Sequence, residues 1–379
     1  MNRDNKVNIL GTFSNINLHL NNQHIQNLFK SVDSEEKREE QKKLDPSKYY
    51  SNFQIKKGDM DDYEVETKIG RGHYSEVFEG QNILTKQRVI IKILKPIKIL
   101  KIQREIKILT YLKNCPNIVQ LVDVVKDKES QIYCLIYGST QSYEMKRISY
   151  KIKDSDLRLY MYKILKCLEY THSHGIMHRD IKPGNVVINT LTKELRVIDW
   201  GLAEFYSKGF EYNLRVSSRF YKAPELLLHY KKYDYSIDMW SLGCLFAAVI
   251  FQKDYFFKGD DLNDQIIKIV SVLGYDGIEE FTDEYEDSYV DRKVIGVIKK
   301  FHRKNWNEFI NDKNKYLIND DAIDLLNKLL EYCPDKRITA KEALKHPYFK
   351  NIVLDDDSNV NGNDDCNSKV FNIKTIKDN

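Results

Sequence analysis

The 379-residue chain reads as an α+β protein of two unlike lobes with a cleft between them. Three observations predict this. From about Tyr63 to Ile136 the pattern favours strands: YEVETKIG, SEVFEGQ, QRVIIKIL, IVQLVDVV and QIYCLIY. From about 154 to 349 helical patterns dominate instead. A short joint near 137–141 separates the two regions.

Each element has a local reason. In KIQREIKILTYL (101–112), Ile102, Ile106 and Leu109 recur at helical spacing, the one helical stretch among the strands. DSDLRLYMYKILKCLEYTHSHG runs to Gly175, a residue suited to a helix C-cap. SIDMWSLGCLFAAVIF is apolar nearly all round, which predicts a buried helix. DAIDLLNKLLE is amphipathic. Residues 1–45 are polar, and SEEKREEQKK (34–43) suits a solvated helix with no apolar stripe. Residues 351–379, rich in Asp and Asn, read as a flexible tail. No internal repeat is visible.

Composition excludes several classes. Apolar residues make up 42%, enough for a sizeable core. Charged residues are nearly balanced at +4, so the chain is not a polycation built to coat nucleic acid. The six cysteines are scattered without a CxxC pair, which suggests neither zinc nor a disulfide framework and fits a reducing compartment. MNRDNKVNILGTF lacks the pattern of a signal peptide. No apolar run approaches the roughly 18 residues of a membrane span.

Four stretches carry chemistry. In IGRGHYSEVFEG (69–80), Gly70 and Gly72 lie between strand-like runs, where backbone amides can approach a phosphate. A plain hairpin accounts for the same glycines. A dinucleotide fingerprint fits less well, since Ser75 takes the third glycine position and a strand follows. In RVIIKIL, Lys92 stands mid-strand among apolar residues and must snorkel or find an anion. Glu105, thirteen residues on, sits beside the helical apolar stripe, and pairing the two resolves both problems while leaving Lys92 a donor for a phosphate. In IMHRDIKPGNVVI (176–188), Asp180 can accept a hydroxyl proton, Lys182 can stabilise a transferred phosphoryl group, and Asn185 can hold a metal through its carbonyl oxygen. VIDWG (197–201) then places a carboxylate, Asp199, at the end of a short apolar strand. Taken alone, that carboxylate also suits a turn cap.

In this order the stretches resemble the eukaryotic protein kinase family: glycine loop, strand lysine, helix glutamate, HRDIKPGN, DWG and APE (223–225), over roughly residues 63–349. DWGLAEFY, EYNLRVSSRFYKAPELL and KILKPIKILKIQREIKIL resemble more narrowly the catalytic (alpha) subunit of casein kinase II. The resemblance implies a two-lobed kinase fold. It divides the chain into an N-terminal extension (1–57), an N-lobe and hinge (58–141), a C-lobe (142–350) and a tail (351–379). It implies ATP bound by Ile69, Gly70, Arg71, Gly72, Val77, Ile90, Lys92, Glu105, Tyr137, Thr140, Val187 and Ile198. Mg2+ is to be held by Asn185 and Asp199, with Asp180, Lys182 and Asn185 catalytic. Glu225 is to pair with Arg337, and Asp238 to brace the catalytic loop. Trp200, where most kinases have Phe, can bond a nearby carbonyl through its indole N–H and fix Asp199 without phosphorylation. Tyr49, Tyr50 and Phe53 are the expected anchors of the extension on the segment 199–225.

Charge predicts the substrate. From Arg88 to Lys107 there are seven basic side chains and one acidic. Lys98, Lys101, Arg215, Arg219 and Lys222 are expected to bind acidic protein substrates around Ser/Thr, with Arg88 and Lys107 as ordinary solvated cations. The chain departs from the subfamily in places. Ile99, Leu100 and Gln103 interrupt its lysine block, which weakens acidic selectivity and heparin-like polyanion binding. YGST (137–140) replaces Phe-Glu-His-Val, and the bulkier Tyr137 counts against the use of GTP beside ATP. Gly184 stands in place of His. The resemblance further implies a regulatory (beta) subunit in a heterotetramer, a location in nucleus and cytoplasm, and no membrane or specific nucleic-acid partner. A proline-directed kinase of the cyclin-dependent and MAP kinase group shares SRFYKAPE but usually has Arg where Lys222 stands. A pseudokinase scaffold is the alternative from outside enzymes.

Overall fold

The computed structural model describes residues 45–139, 142–350 and 352. SEEKREEQKK, Thr140 and the expected tail lie outside the described residues, residue 352 excepted. Chain contacts separate a small unit, described at 45 and 207–210, from a large one, 46–206 with 211–379. In the small unit Phe210 N–H donates to the Ser207 carbonyl at 3.2 Å. All that follows concerns the large unit.

Its N-terminal lobe is a five-stranded antiparallel sheet, β1 (Tyr63–Arg71), β2 (Ser75–Asn82), β3 (Arg88–Leu94), β4 (Leu121–Lys126) and β5 (Tyr133–Gly138), in the order β1-β2-β3-β5-β4. Alternation along β3 sends Val89, Ile91 and Ile93 to one face and Ile90 and Lys92 to the other. On the first face Val89 and Ile91 pack with Val125, Cys134 and Ile136, covered by Met60, Tyr63 and Ile93. The second face turns to the cleft. Helix α1 (Ile99–Tyr111) buries Ile102, Ile106 and Leu109, as its spacing predicts.

The C-terminal lobe is helical: α2 (Asp154–Ser173), α3 (Ser236–Ile250), α4 (Leu262–Leu273), α5 (Asp276–Glu284), α6 (Arg292–Ile298) and α7 (Asp320–Leu329). The chain past α2 turns at Gly175, whose φ of +74° lies in the left-handed region that glycine enters without strain. Helix α3 is buried along nearly its whole length. It lies so close to α7 that a Cβ on Gly243 would stand 2.8 Å from Leu330 Cδ2.

Short strands carry the loops of interest: β6 (Tyr143–Glu144) before α2, and β7 (Ile176–Met177), β8 (Val186–Ile188), β9 (Leu195–Val197) and β10 (Glu204–Phe205) between α2 and α3. The connection from α1 to β4 is fastened to β9. Val197 N–H donates to the Asn117 carbonyl at 2.7 Å, and Val119 N–H to the Val197 carbonyl at 3.1 Å. The sheet lobe is thereby tied to the strand that leads into Asp199.

Segment 46–53 lies against the same region. Tyr49 and Tyr50 stack on Phe205 at 5.0 and 6.3 Å. The Gln103 amide donates to the Phe53 carbonyl at 3.0 Å. The Lys107 ammonium lies 5.1 Å from the Phe53 ring centre. This corrects the expectation of a solvated Lys107: its side chain is buried, and burial pushes its pKa down.

Candidate active site

Strand β3 presents Lys92 opposite Val77 of β2 and Leu135 of β5, one step from the pair Ile90–Tyr137. All five side chains share the cleft face. Lys92 Nζ donates to Glu105 Oε1 at 2.7 Å and to Asp199 Oδ1 at 2.9 Å. Burial alone would lower the Lys92 ammonium, but the charges of Glu105 and Asp199 outweigh it and hold it well above the usual lysine range. The Tyr137 hydroxyl points to the same carboxylate, 3.4 Å from Glu105 Oε1. Burial first, then the Glu105 charge, pushes its phenol well above ordinary. Ile69, Gly70, Arg71 and Gly72 form the β1–β2 hairpin. Lys95 pins its tip by donating to the carbonyls of Gly72 and His73, both at 3.1 Å.

Across the cleft, Asp199 has φ of +60°. Left-handed backbone at a non-glycine residue costs roughly 1–3 kcal/mol unless the surroundings impose it. Here they do. Lys92 holds the carboxylate, and the Trp200 indole N–H donates to the Val197 carbonyl at 3.2 Å, closing the turn behind it. The Lys92 charge, against the cost of burial, keeps the Asp199 carboxyl below the usual range. Its side chain nevertheless remains half-exposed to the cleft. Val187 and Ile198 lie on this side. Ile198 N–H donates to the Asn185 carbonyl at 2.9 Å.

The loop after β7 is braced from below by Asp238 at the start of α3. Its Oδ2 accepts from His178 N–H at 2.8 Å and its Oδ1 from Arg179 N–H at 2.7 Å. Burial lowers the pKa of His178, favouring the neutral ring. Its Nδ1 then accepts from Asp180 N–H at 3.2 Å while Nε2 donates to the Ile198 carbonyl at 3.2 Å. The loop and the Asp199 turn are thus linked through one imidazole.

Asp180 is buried at the centre. Its Oδ1 accepts from Ser218 N–H and Oγ, each at 2.9 Å. Its Oδ2 accepts from Lys182 Nζ at 2.6 Å and Asn185 Nδ2 at 3.0 Å. Lys182 also donates to Ser218 Oγ at 2.9 Å. With its amide nitrogen so used, Asn185 keeps Oδ1 free of hydrogen bonds among the described residues, as does Asp199 at Oδ2. Two such oxygens fit a hard cation that takes its remaining ligands from phosphates and water. Among the described residues there is no cluster of three or more His, Cys, Asp or Glu that would hold a metal unaided.

Several contacts were not foreseen. Glu204 accepts from Arg104 of α1 at 2.7 Å and lies 3.5 Å from Arg179. Arg104 also donates to the Gly201 carbonyl at 2.9 Å. Arg104 and Glu204 are a hundred residues apart, and Ser218 is 38 from Asp180, so no local spacing could announce them. The expected partners Glu225 and Arg337 meet with two bonds of 2.8 and 3.0 Å, both side chains fully buried.

The substrate set needs one correction. Lys222 is only 5% exposed, and its ammonium donates to the carbonyls of Leu214 and Val216. It fastens its own segment and does not face a substrate, because the backbone turn 214–216 would otherwise bury carbonyls unpaired. Lys98, Lys101, Arg215 and Arg219 remain exposed, with Lys101 over the Tyr74 ring at 4.9 Å. Thr140 lies outside the described residues.

Burial pushes Lys222 from its usual 10.5 down to about 8. Between those values the unfolded chain binds more protons than the folded one, so the contribution of this group to stability rises with pH. The unfolding free energy of the wild type minus that of Lys222→Met should therefore climb between pH 8 and 10.5, by about 1 kcal/mol per pH unit at most. Urea titrations across that range check it, and a flat difference contradicts it.

Comparison with protein-family models matches residues 63–349 to the protein kinase domain.

Proposed function

Because this chain belongs to the protein kinase family and so uses ATP, we propose that it is a constitutively active, acidophilic Ser/Thr kinase of the casein kinase II alpha type. The observation that carries this reading is the Lys92–Glu105–Asp199 chain, complete across the cleft through side chains alone. Arg104 and Arg179, cations that a phosphate could otherwise gather, are both engaged by Glu204.

In the proposed mechanism Lys92, oriented by Glu105, positions the nucleotide phosphates. Asn185 Oδ1 and Asp199 would hold magnesium, whose chemistry is to neutralise charge on the transferred group. Asp180 orients the acceptor hydroxyl and takes its proton, and Lys182 stabilises charge on the moving phosphoryl group. Ser218 Oγ already lies between Asp180 and Lys182, which supports a short aliphatic acceptor over a phenol. The remaining polar work is positioning.

Lys98, Lys101, Arg215 and Arg219 are the proposed readers of acidic residues around the acceptor, and Lys222 leaves that set. Tyr137, drawn to Glu105, supports ATP over GTP. The regulatory (beta) subunit is proposed for the outer face of the sheet, where Val65 and Val122 are exposed beside the patch that Met60 and Tyr63 cover. Nucleus and cytoplasm are the proposed location. No described helix is long and apolar enough to cross a membrane.

A peptide panel tests the specificity. Acids flanking serine should lower KM severalfold relative to alanine, with the advantage shrinking as salt rises. Arg219→Ala should raise KM for the acidic peptide more than for the neutral one. Proline favoured after the acceptor, with acids indifferent at low salt, supports the proline-directed alternative instead.

A further inference from the structure

A cavity of about 730 Å³ opens beside the Asp180 site. It is continuous with that site, because Lys182 and Ser218, both bonded to Asp180, also line it. Its walls are Phe220, Tyr221, Tyr255 and Leu262. Phe220 and Tyr255 pack at 4.3 Å between ring centres. Leu262, the first residue of α4, is 52% exposed and turned to this space. On the catalytic-loop side stands Gly184. A Cβ built there meets nothing nearer than Lys182 Cε at 4.0 Å, so the position leaves the cavity open.

The rim carries charges of both signs. Two of the cations are turned onto the aromatic walls. Lys146 Nζ lies 5.5 Å from the Tyr255 ring centre, and Arg219 lies 5.1 Å from that of Phe220 while donating to the Asp260 carbonyl. Two carboxylates, Glu144 and Asp261, oppose them, and Asp261 is occupied in capping α4 through Asp264 N–H at 2.8 Å. A side chain entering here meets rings and a leucine below a rim of mixed charge. Burial of apolar surface is then the main source of discrimination.

We infer that this cavity seats an apolar or aromatic side chain of the substrate, a few residues from the acceptor hydroxyl. The acidic residues read by Lys98, Lys101, Arg215 and Arg219 are a separate requirement. The inference rests on the kinase reading above and adds a second class of side chain to it.

The test is a set of peptides with one serine and a constant acidic residue. Phe, Leu, Ala, Asp and Arg are scanned singly through the positions on either side. At one position Phe and Leu should exceed Ala by about tenfold in kcat/KM, mainly through KM. The Phe-to-Ala ratio at that position should collapse toward one in Leu262→Ser, which removes a wall, and in Gly184→Gln, which fills the space. Both changes fall where the fold has room. A flat profile at every position, or a ratio that survives both substitutions, overturns the inference and leaves the kinase reading intact. If no peptide is phosphorylated, the kinase reading falls and the inference with it.

Discussion

Asp180→Asn should lower kcat by about 10²–10⁴-fold while the protein stays folded and still binds ATP. The carboxylate accepts four hydrogen bonds through its side chain, two on each oxygen. An asparagine can offer only one oxygen. Either its NH₂ group faces the Ser218 N–H, or it faces the donors Lys182 and Asn185, and in both orientations donors confront donors. The acceptor hydroxyl also loses its base. ATP affinity should hold, because Asp180 bonds only to the loop and to Ser218. Initial-rate kinetics with an acidic serine peptide, together with nucleotide binding, separate these effects. Unimpaired turnover would remove Asp180 from its assigned role.

Arg337→Ala should cost roughly 3–5 kcal/mol of stability, the usual penalty for leaving a buried charge without its partner. Glu225 and Arg337 are both fully buried, and the guanidinium also donates to the carbonyls of Ser236, Glu331 and Tyr332. Its plane lies 5.2 Å from the Trp240 ring centre. Removing it leaves the carboxylate with only the 3.4 Å bond from Ser236 Oγ and takes a donor from three carbonyls at once. The double substitution Glu225→Met with Arg337→Met should be less damaging than the loss of Arg337 alone, since no charge is then stranded. Urea unfolding of the three proteins checks the order, and additive losses would contradict it.

These cases show what a sequence makes legible. Lys92 and Glu105 could be paired because each is a charge set in an apolar pattern, and such charges must find each other. The DWG turn was readable because Trp200 brings its own donor, which the Val197 carbonyl receives. Strands and α1 follow from periodicity, and the buried α3 from apolar residues nearly all round. The substrate wall was harder. Arg219 and Lys222 look alike in SRFYKAPE, yet one is exposed and the other turns inward to two carbonyls. That choice depends on how the backbone 214–216 folds back, which no spacing encodes. The burial of Lys107 is hidden from its local sequence for a similar reason. Its cover, Phe53, comes from a segment some fifty residues earlier. The Arg104–Glu204 pair joins two lobes and is invisible until both are placed.

The claim on which the rest depends is that the site assembles without phosphorylation. It is tested most directly by treating the purified full-length chain with phosphatase, verifying by mass that no phosphate remains, and timing γ-phosphoryl transfer from ATP to an acidic serine peptide. The same rate before and after treatment is expected, since Glu204 already engages Arg104 and Arg179 and Lys92 already bridges Glu105 and Asp199. Activity that vanishes on treatment and returns only with an upstream kinase would contradict the account.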